Sequence, residues 1–386
     1  MKTLFPEHRA SWMTDERMEL MEHAYEFALK EIAPHQERWI EEKAVDRELW
    51  NKAGAAGLLC TDIPEEYGGA GGTFSHEAVV QHALTMAGDT AFGYSVGSTI
   101  VPHYFLAFGT EEQKTTYLPK LASGEMVGAI AMTEPSTGSD LQAIRTTAKR
   151  DGDEYVINGS KTFITNGTHC DLLLLVCKTD PEAKAKGMSL IILETRDLPG
   201  FERGRVLSKI GMKGQDTREL FFSDVRVPVS QRLGGTEGQG FAQLMQQLGR
   251  ERLIIACTGA SAAEFGVLEA ISYTRERQAF GRAIADFQHT RYTLAQCKAD
   301  AYASRTLCDA AMTMADEGRL DPSTASIAKM WATDMQCSVL DRCLQMFGGY
   351  GYMEEYSIAR AYAAARVQKI YGGTNEIMKE LVSRTL

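Results

Sequence analysis

At 386 residues the chain exceeds one small domain and suits two or three of ~150 residues each. Apolar residues at 44% and charged residues at 24% exclude disordered, collagen-like and low-complexity classes. Its 41 Lys+Arg against 51 Asp+Glu give a net charge of −10, a field that repels phosphate backbones and anionic lipid, so no nucleic-acid partner is expected.

The first zone, residues 1–125, reads as a helical domain. Met1 to Ala10 contains no apolar core, and Asp15, Glu16 and Glu19 argue against a transit peptide. No unbroken apolar run of ~18 residues occurs, and the longest cluster, Leu172 to Cys177, is strand-sized. The expectation is a cytoplasmic protein without membrane insertion. Met18, Met21, Tyr25, Ala28 and Ile32 recur at spacings of three and four, one face of an amphipathic helix. Thr110-Glu111-Glu112-Gln113 forms a capping box, and the helix it opens is predicted to stop near Pro119. The run Tyr67 to Gly72 is a glycine-rich loop with no preceding strand, so it is not a dinucleotide fingerprint.

The second zone, 126–232, changes period. Asp151-Gly152, Asn158-Gly159, Asn166-Gly167 and Pro199-Gly200 punctuate it as turns. The runs between them are short and β-rich: Tyr155 to Ile157, Phe163 to Thr165, Asp171 to Cys177, Ser189 to Leu193 and Leu220 to Phe222. Such strands with close turns predict an antiparallel barrel or sandwich. The third zone, 233–386, returns to helix formers over 239–275, 288–316, 323–346 and 353–366, joined by short loops as in a four-helix bundle. A last helix is expected after Gly372-Gly373 with Thr374 as its cap. The order is α+β and multi-domain: helices, strands, helices.

None of the eight cysteines sits in a C-x-x-C pair, which favours buried free thiols. His76-Glu77 and His82 stand at a spacing that puts the two rings on different helical faces, so no metal site is expected.

The sharpest single feature is a charge out of place. Phe241, Leu244, Leu248, Glu251, Ile255 and Thr258 fall on one helical face, and Glu251 interrupts the apolar stripe. It either pairs with Arg250 or Arg252, or is rotated to solvent by Gly249, or sits in a dry cavity as a general base. Three further stretches carry weaker signals. Thr133 to Asp140 is rich in hydroxyl and amide donors, and Gly348 to Gly351 and Gly372 to Thr374 permit close approach of an anionic ligand.

Taken in order, these stretches bear a resemblance. Ala131-Met132-Thr133-Glu134-Pro135, Gly138-Ser139-Asp140-Leu141, Asn158-Gly159-Ser160-Lys161 with Phe163 to Gly167, Arg277-Gln278-Ala279-Phe280-Gly281 with Gln288, Gln345 to Gly349, and Ile370 to Met378 are similar to the acyl-CoA dehydrogenase family. The likeness spans the full length and is nearest to the family's long-chain branch. It implies FAD held by a β-barrel between two helical domains. The implied reaction removes the α-proton of an acyl-CoA thioester with a glutamate, passes the β-hydride to flavin N5 and gives the trans-2-enoyl-CoA. It implies a homotetramer, a dimer of dimers, whose electrons go to an electron-transfer flavoprotein.

The same resemblance implies roles for particular residues. Ile130, Met132, Thr133 and Thr165 meet the flavin, with Phe163 beside it where many relatives carry Trp. Ser139 reaches the pyrophosphate and acyl-CoA region. Arg277, Phe280 and Gln288 contact phosphates and adenosine across a subunit interface, and Gln345, Gly348 and Gly349 line the same cofactor. Thr374 and Glu376 meet its phosphates, while Arg252 and Gly373 border the substrate. The commoner branch places its base where this chain has Gly372. The isovaleryl and long-chain branches place it in a Glu-Arg-Leu context, present here as Glu251-Arg252-Leu253. Glu251 is therefore the implied base, and Gly372 the N–H donor to the thioester carbonyl. Gly249-Arg250 and Ala242 depart from the long-chain pattern and bear on chain length. The rival expectations are an acyl-CoA oxidase or flavin monooxygenase on the same fold, and a non-catalytic DNA-binding flavoprotein.

Overall fold

The computed structural model describes residues 1–386. Helix α1 (Asp15–Glu31) starts on the Thr14 side chain, which accepts from the Arg17 N–H, and buries Ala24 and Ala28. It packs on α4 (Phe74–Met86), while α2 (Gln36–Glu42) and α3 (Arg47–Ala55) bring Trp39 and Trp50 into the same core. The predicted face shifts slightly: Met18 is exposed, and Ala24 takes its place in the core.

Helices α5 (Val101–Phe108) and α6 (Glu111–Ala122) follow. The Thr110–Gln113 capping box forms as expected, but α6 runs through Pro119 to Ala122. The proline falls in the last turn, where only one backbone bond is forfeited and buried Leu118 and Leu121 hold the turn in place. Ahead of α5 lies a π-helical stretch, Ser95–Ile100, which sequence patterning did not indicate.

The middle of the chain is a seven-stranded curled sheet: β1 (Val127–Ala131), β2 (Thr147–Asp151), β3 (Glu154–Thr165), β4 (Cys170–Lys178), β5 (Met188–Glu194), β6 (Phe201–Val206) and β7 (Thr217–Pro228). Its order is β1-β4-β2-β3-β7-β6, with β5 on the other edge of β4. Two features differ from expectation. β4 pairs in parallel with both β1 and β2, so the sheet is mixed. Asn158-Gly159 is not a turn but a bulge inside the long β3 strand, with Gly159 at φ +149°. The Asn158 carboxamide bonds Asp224 on β7 through both its donor and its acceptor, which keeps the strands paired across the bulge. The apolar run in β4 has a simple cause. Leu172, Leu174 and Val176 face the core shared with α5 and α6, whereas Leu173, Leu175 and Cys177 face the interior of the sheet.

The C-terminal bundle consists of α7 (Gly240–Glu276), α8 (Gln288–Asp316), α9 (Pro322–Gln345) and α10 (Ser357–Gln368), with α11 (Asn375–Ser383) against α9. The hairpin of β8 (Gln278–Ala279) and β9 (Arg282–Ala283) separates α7 from α8. Helix α10 begins at Ser357 and not 353, because a 3-10 turn over Gly348–Tyr352 occupies the glycine-rich stretch after α9. A window of α7 is long and apolar enough by composition to cross a membrane, and 78% of that window is buried inside the molecule. Its apolarity builds the centre of the bundle.

Candidate active site

Glu251 projects from the middle of α7 with only 6% of its surface exposed, and Leu244, Leu248 and Ile255 are buried around it on the same face. The Tyr104 hydroxyl, from α5, donates to Glu251 Oε1 at 2.7 Å. Burial pushes the carboxyl up to about 7, against the smaller opposing pulls of the Tyr104 bond and the Arg252 charge. Neither basic neighbour neutralises it. Arg250 pairs with buried Asp62 and stacks 3.7 Å over the Phe74 ring. Arg252 turns to the Gly372 carbonyl, Nε to O 3.3 Å. Of the readings open from sequence, the dry carboxylate is the one the geometry presents.

Gly372 and Gly373 both lie in the left-handed region, at φ +64° and +91°. A Cβ on Gly372 would stand 2.5 Å from Ile255 Cδ1, the movable end of that side chain, so it is the left-handed backbone that favours glycine at this turn. Two cations fasten the turn. Arg252 holds the Gly372 carbonyl, and the fully buried Lys329 of α9 donates to the Gly373 carbonyl at 2.8 Å and to Asn375 Oδ1 at 2.9 Å. Burial lowers Lys329 to about 8. The Gly372 N–H makes no hydrogen bond within the chain and is free to donate. Thr374 caps α11 by accepting from Ile377 N, and Glu376 lies exposed in the first turn, held below the usual carboxylate range by its backbone N–H and by Thr374. Asn375 between them turns inward to Thr333 and Asp334.

A second group gathers where the end of β1 meets β3. Ile130, Met132 and Thr133 are half-buried there; the Met132 carbonyl accepts from Lys161 Nζ and the Thr133 carbonyl from Thr162 N, each at 2.9 Å. These bonds tie Thr133 to the part of β3 that carries Phe163, 66% exposed and at φ +61°, and Thr165. A phenylalanine in that region is strained, and the β3–β7 irregularity between Lys161 and Ile164 imposes it. Glu134 does not serve as an open acid: it is buried against Lys161 (2.9 Å) and accepts from Arg145 N and Thr146 N, anchoring the loop that carries exposed Ser139.

A third group is at the surface. Arg277 ends α7, and Phe280 with Gly281 forms the tip of the β8–β9 hairpin, the Phe280 side chain 95% exposed. Gln288 opens α8 and donates to the Tyr292 hydroxyl. A cavity of about 470 Å³ is lined by Arg277, Tyr273, Met346, Gly348, Gly349 and Tyr350, among others. Gln345 is exposed at the end of α9 but does not line it, and neither the Glu251 nor the Thr133 group reaches it. A Cβ on Gly348 or Gly349 would touch nothing in the chain, so the space beside them is open to a ligand. The guanidinium, the glycine edge and the exposed aromatic ring suit a dinucleotide with phosphates and flat rings.

Sequence reasoning missed Tyr104, Lys161 and Lys329. Tyr104 lies in an apolar run that gives no sign of it. Lys329 interrupts a small-residue face of α9 between Ala325, Ala328 and Ala332, so the test that found Glu251 also suits it.

Three family models match consecutive stretches: the acyl-CoA dehydrogenase N-terminal domain over residues 14–125, the middle domain over 129–225 and the C-terminal domain over 238–386. The chain belongs to the acyl-CoA dehydrogenase family, and it is an FAD-dependent oxidoreductase. It is 47% identical to the mitochondrial long-chain specific acyl-CoA dehydrogenase of Rattus norvegicus over 93% of this chain and 84% of that protein. Among solved structures, an acyl-CoA dehydrogenase from Geobacillus kaustophilus superposes with a TM-score of 0.95 at 42% identity, covering 98% of this chain and 99% of that one. A second, described as an electron transferring flavoprotein of Acidaminococcus fermentans in work on flavin-based electron bifurcation, gives 0.93 at 36% identity, with 98% and 99% covered.

Proposed function

We propose that the chain dehydrogenates acyl-CoA thioesters between Cα and Cβ to the trans-2-enoyl-CoA, with Glu251 taking the α-proton. The observation that carries this is the buried carboxyl in an apolar wall, pushed up to about 7 and free of any ion pair. Such a group is ionised just above neutrality yet remains basic enough to accept a carbon-bound proton. Negative charge then develops on the thioester oxygen, where the Gly372 N–H is the chain's donor. Arg252 and Lys329 hold the turn that aims it, each through a glycine carbonyl. Arg252 and Gly373 border the acyl thioester, and the Ser139 loop extends toward its CoA portion.

FAD, when bound, supplies the two-electron acceptor for the β-hydride. Thr133, Thr165 and Phe163 would hold its ring, with Ile130 and Met132 behind them. Arg277, Phe280, Gln288, Gln345, Gly348, Gly349, Thr374 and Glu376 would hold its phosphates and adenosine. The separation of the surface cavity from the other two groups supports a shared site in which a second copy completes the first. A homotetramer, a dimer of dimers in the cytoplasm, is part of this reading.

Similarity to the Acidaminococcus structure supports an electron-transfer flavoprotein as electron acceptor. Identity to the long-chain enzyme supports long acyl chains, and a panel of acyl-CoAs scored by flavin reduction measures the preference. The test of the base is Glu251→Gln. The variant is expected to fold and keep its yellow flavin but fail to bleach when acyl-CoA is added without air. Bleaching at the wild-type rate would overturn the assignment.

A further inference from the structure

Glu251 receives one hydrogen bond from the chain, and its donor comes from 147 residues away. Tyr104 lies one turn into α5, directly after the π-helical stretch Ser95–Ile100. A π-helical turn takes an extra residue, so it resets the rotation of the helix beyond it, and such turns cluster at functional sites. Here the reset leaves Tyr104 facing α7. Its ring is fully buried in the core that also holds Val101, Phe105 and Leu244, with the Phe108 ring 6.3 Å away. Packing therefore leaves the hydroxyl one direction, and along it stands Glu251 Oε1 at 2.7 Å. Glu251 Oε2 has no partner in the chain.

We propose that Tyr104 is a positioning residue for the base: its hydroxyl grips the Glu251 carboxylate through Oε1 and leaves Oε2 as the oxygen that takes the substrate proton. The inference rests on Glu251 being the base. In the step, the Cα–H bond breaks, its proton joins Oε2, and the electron pair stays on the acyl group. Tyr104 keeps its own proton throughout, since burial and the adjacent carboxylate both oppose losing it. A phenol donates more strongly to a carboxylate than to a neutral acid, so the contact favours the ionised base that burial disfavours. Of the charged groups nearby, Arg252 also favours the ionised carboxylate through its charge but bonds the Gly372 carbonyl, and Arg250 bonds Asp62.

The measurement is the pH profile of flavin reduction by a saturating acyl-CoA in the absence of air, made on the FAD-loaded enzyme. In Tyr104→Phe the acid limb is expected to move to higher pH by about one unit, a tenfold change in the ionisation constant, with flavin content retained. Replacing Tyr104 by 3-fluorotyrosine, similar in shape but a stronger donor, is expected to move the limb the other way. It decides the matter alone if the phenylalanine variant loses its flavin. A limb unmoved in either measurable variant, or a loss of rate equal at every pH, overturns the inference. Glu251→Gln separates the two ideas: if it still bleaches, the base itself is wrong, whereas an inert Glu251→Gln beside an unmoved limb removes only the role of Tyr104.

Discussion

A buried acid costs stability in its charged form, and Glu251 shows the sign of that effect. Its folded-state value of about 7 lies above the ordinary 4.5, so the folded chain holds a proton that the unfolded chain releases between those limits. Stability contributed by the neutral form is lost as pH rises through that window. Glu251→Gln, which cannot ionise, is expected to unfold at a higher denaturant concentration than the wild type at pH 8, by at most about 3 kcal/mol. The gap should close as pH falls toward 4.5. Equal midpoints at pH 8 would show that the carboxylate is hydrated and contradict its dry setting. If Glu251 is the base, as proposed, catalysis runs against stability here: the rate should fall as pH drops below about 7, where the carboxylate takes up its proton.

At the level of elements, the Gly372-Gly373 turn is controlled from α9. Lys329 is completely buried, and its ammonium is taken up by the Gly373 carbonyl and Asn375, so α9, the turn and the start of α11 move as one piece. Lys329→Met keeps most of the aliphatic stem but leaves the Gly373 carbonyl without a donor and Asn375 Oδ1 with only the longer Thr333 bond, a loss of about 2 kcal/mol. Turnover is expected to fall further than flavin content, because in the proposed site the turn aims the Gly372 N–H while most of the flavin contacts belong to other elements; assays of both on one preparation check this. Unchanged turnover would mean that Arg252 alone fixes the turn. The bulge in β3 works in the same way on the sheet side. A second irregularity, between Lys161 and Ile164, leaves Phe163 in a left-handed backbone with its ring outward, a result that depends on pairing with β7 and not on any local preference of phenylalanine.

For the whole molecule, the notable fact is how much apolar surface one chain leaves uncovered on the segments that flank the Arg277–Tyr350 cavity. Phe280 is 95% exposed and Tyr352 84%, with Tyr350 and Met353 close by. Rings this exposed beside a cavity suit coverage by a second copy and a shared cofactor. Because the Phe280 side chain lies almost wholly outside its own chain, Phe280→Ser should change the stability of the isolated fold by about 0.5 kcal/mol or less. It is expected to weaken assembly and release FAD, seen as a smaller species in sedimentation with loss of yellow colour. A variant that stays assembled and coloured would remove Phe280 from the interface.

Local patterns were enough for the zones of helix and strand, the capping box at Thr110, the cap at Thr374 and the misplaced charge at Glu251, since each depends on neighbours within one or two turns. Ordered motifs were enough for the family. Partners far apart in the chain decided the rest. Asn158-Gly159 became a bulge because β7 continues past it, Pro119 stayed helical because its turn is packed, and Glu134 closed on Lys161. Which of Arg250 and Arg252 would face Glu251 was undecidable along one helix, because Asp62 and Gly372, the groups that draw them off, arrive from opposite ends of the chain. Tyr104 reached the carboxylate in the same manner. Hydrogen bonds and burial act through space, and a one-dimensional pattern holds only those contacts whose two partners are also close in sequence.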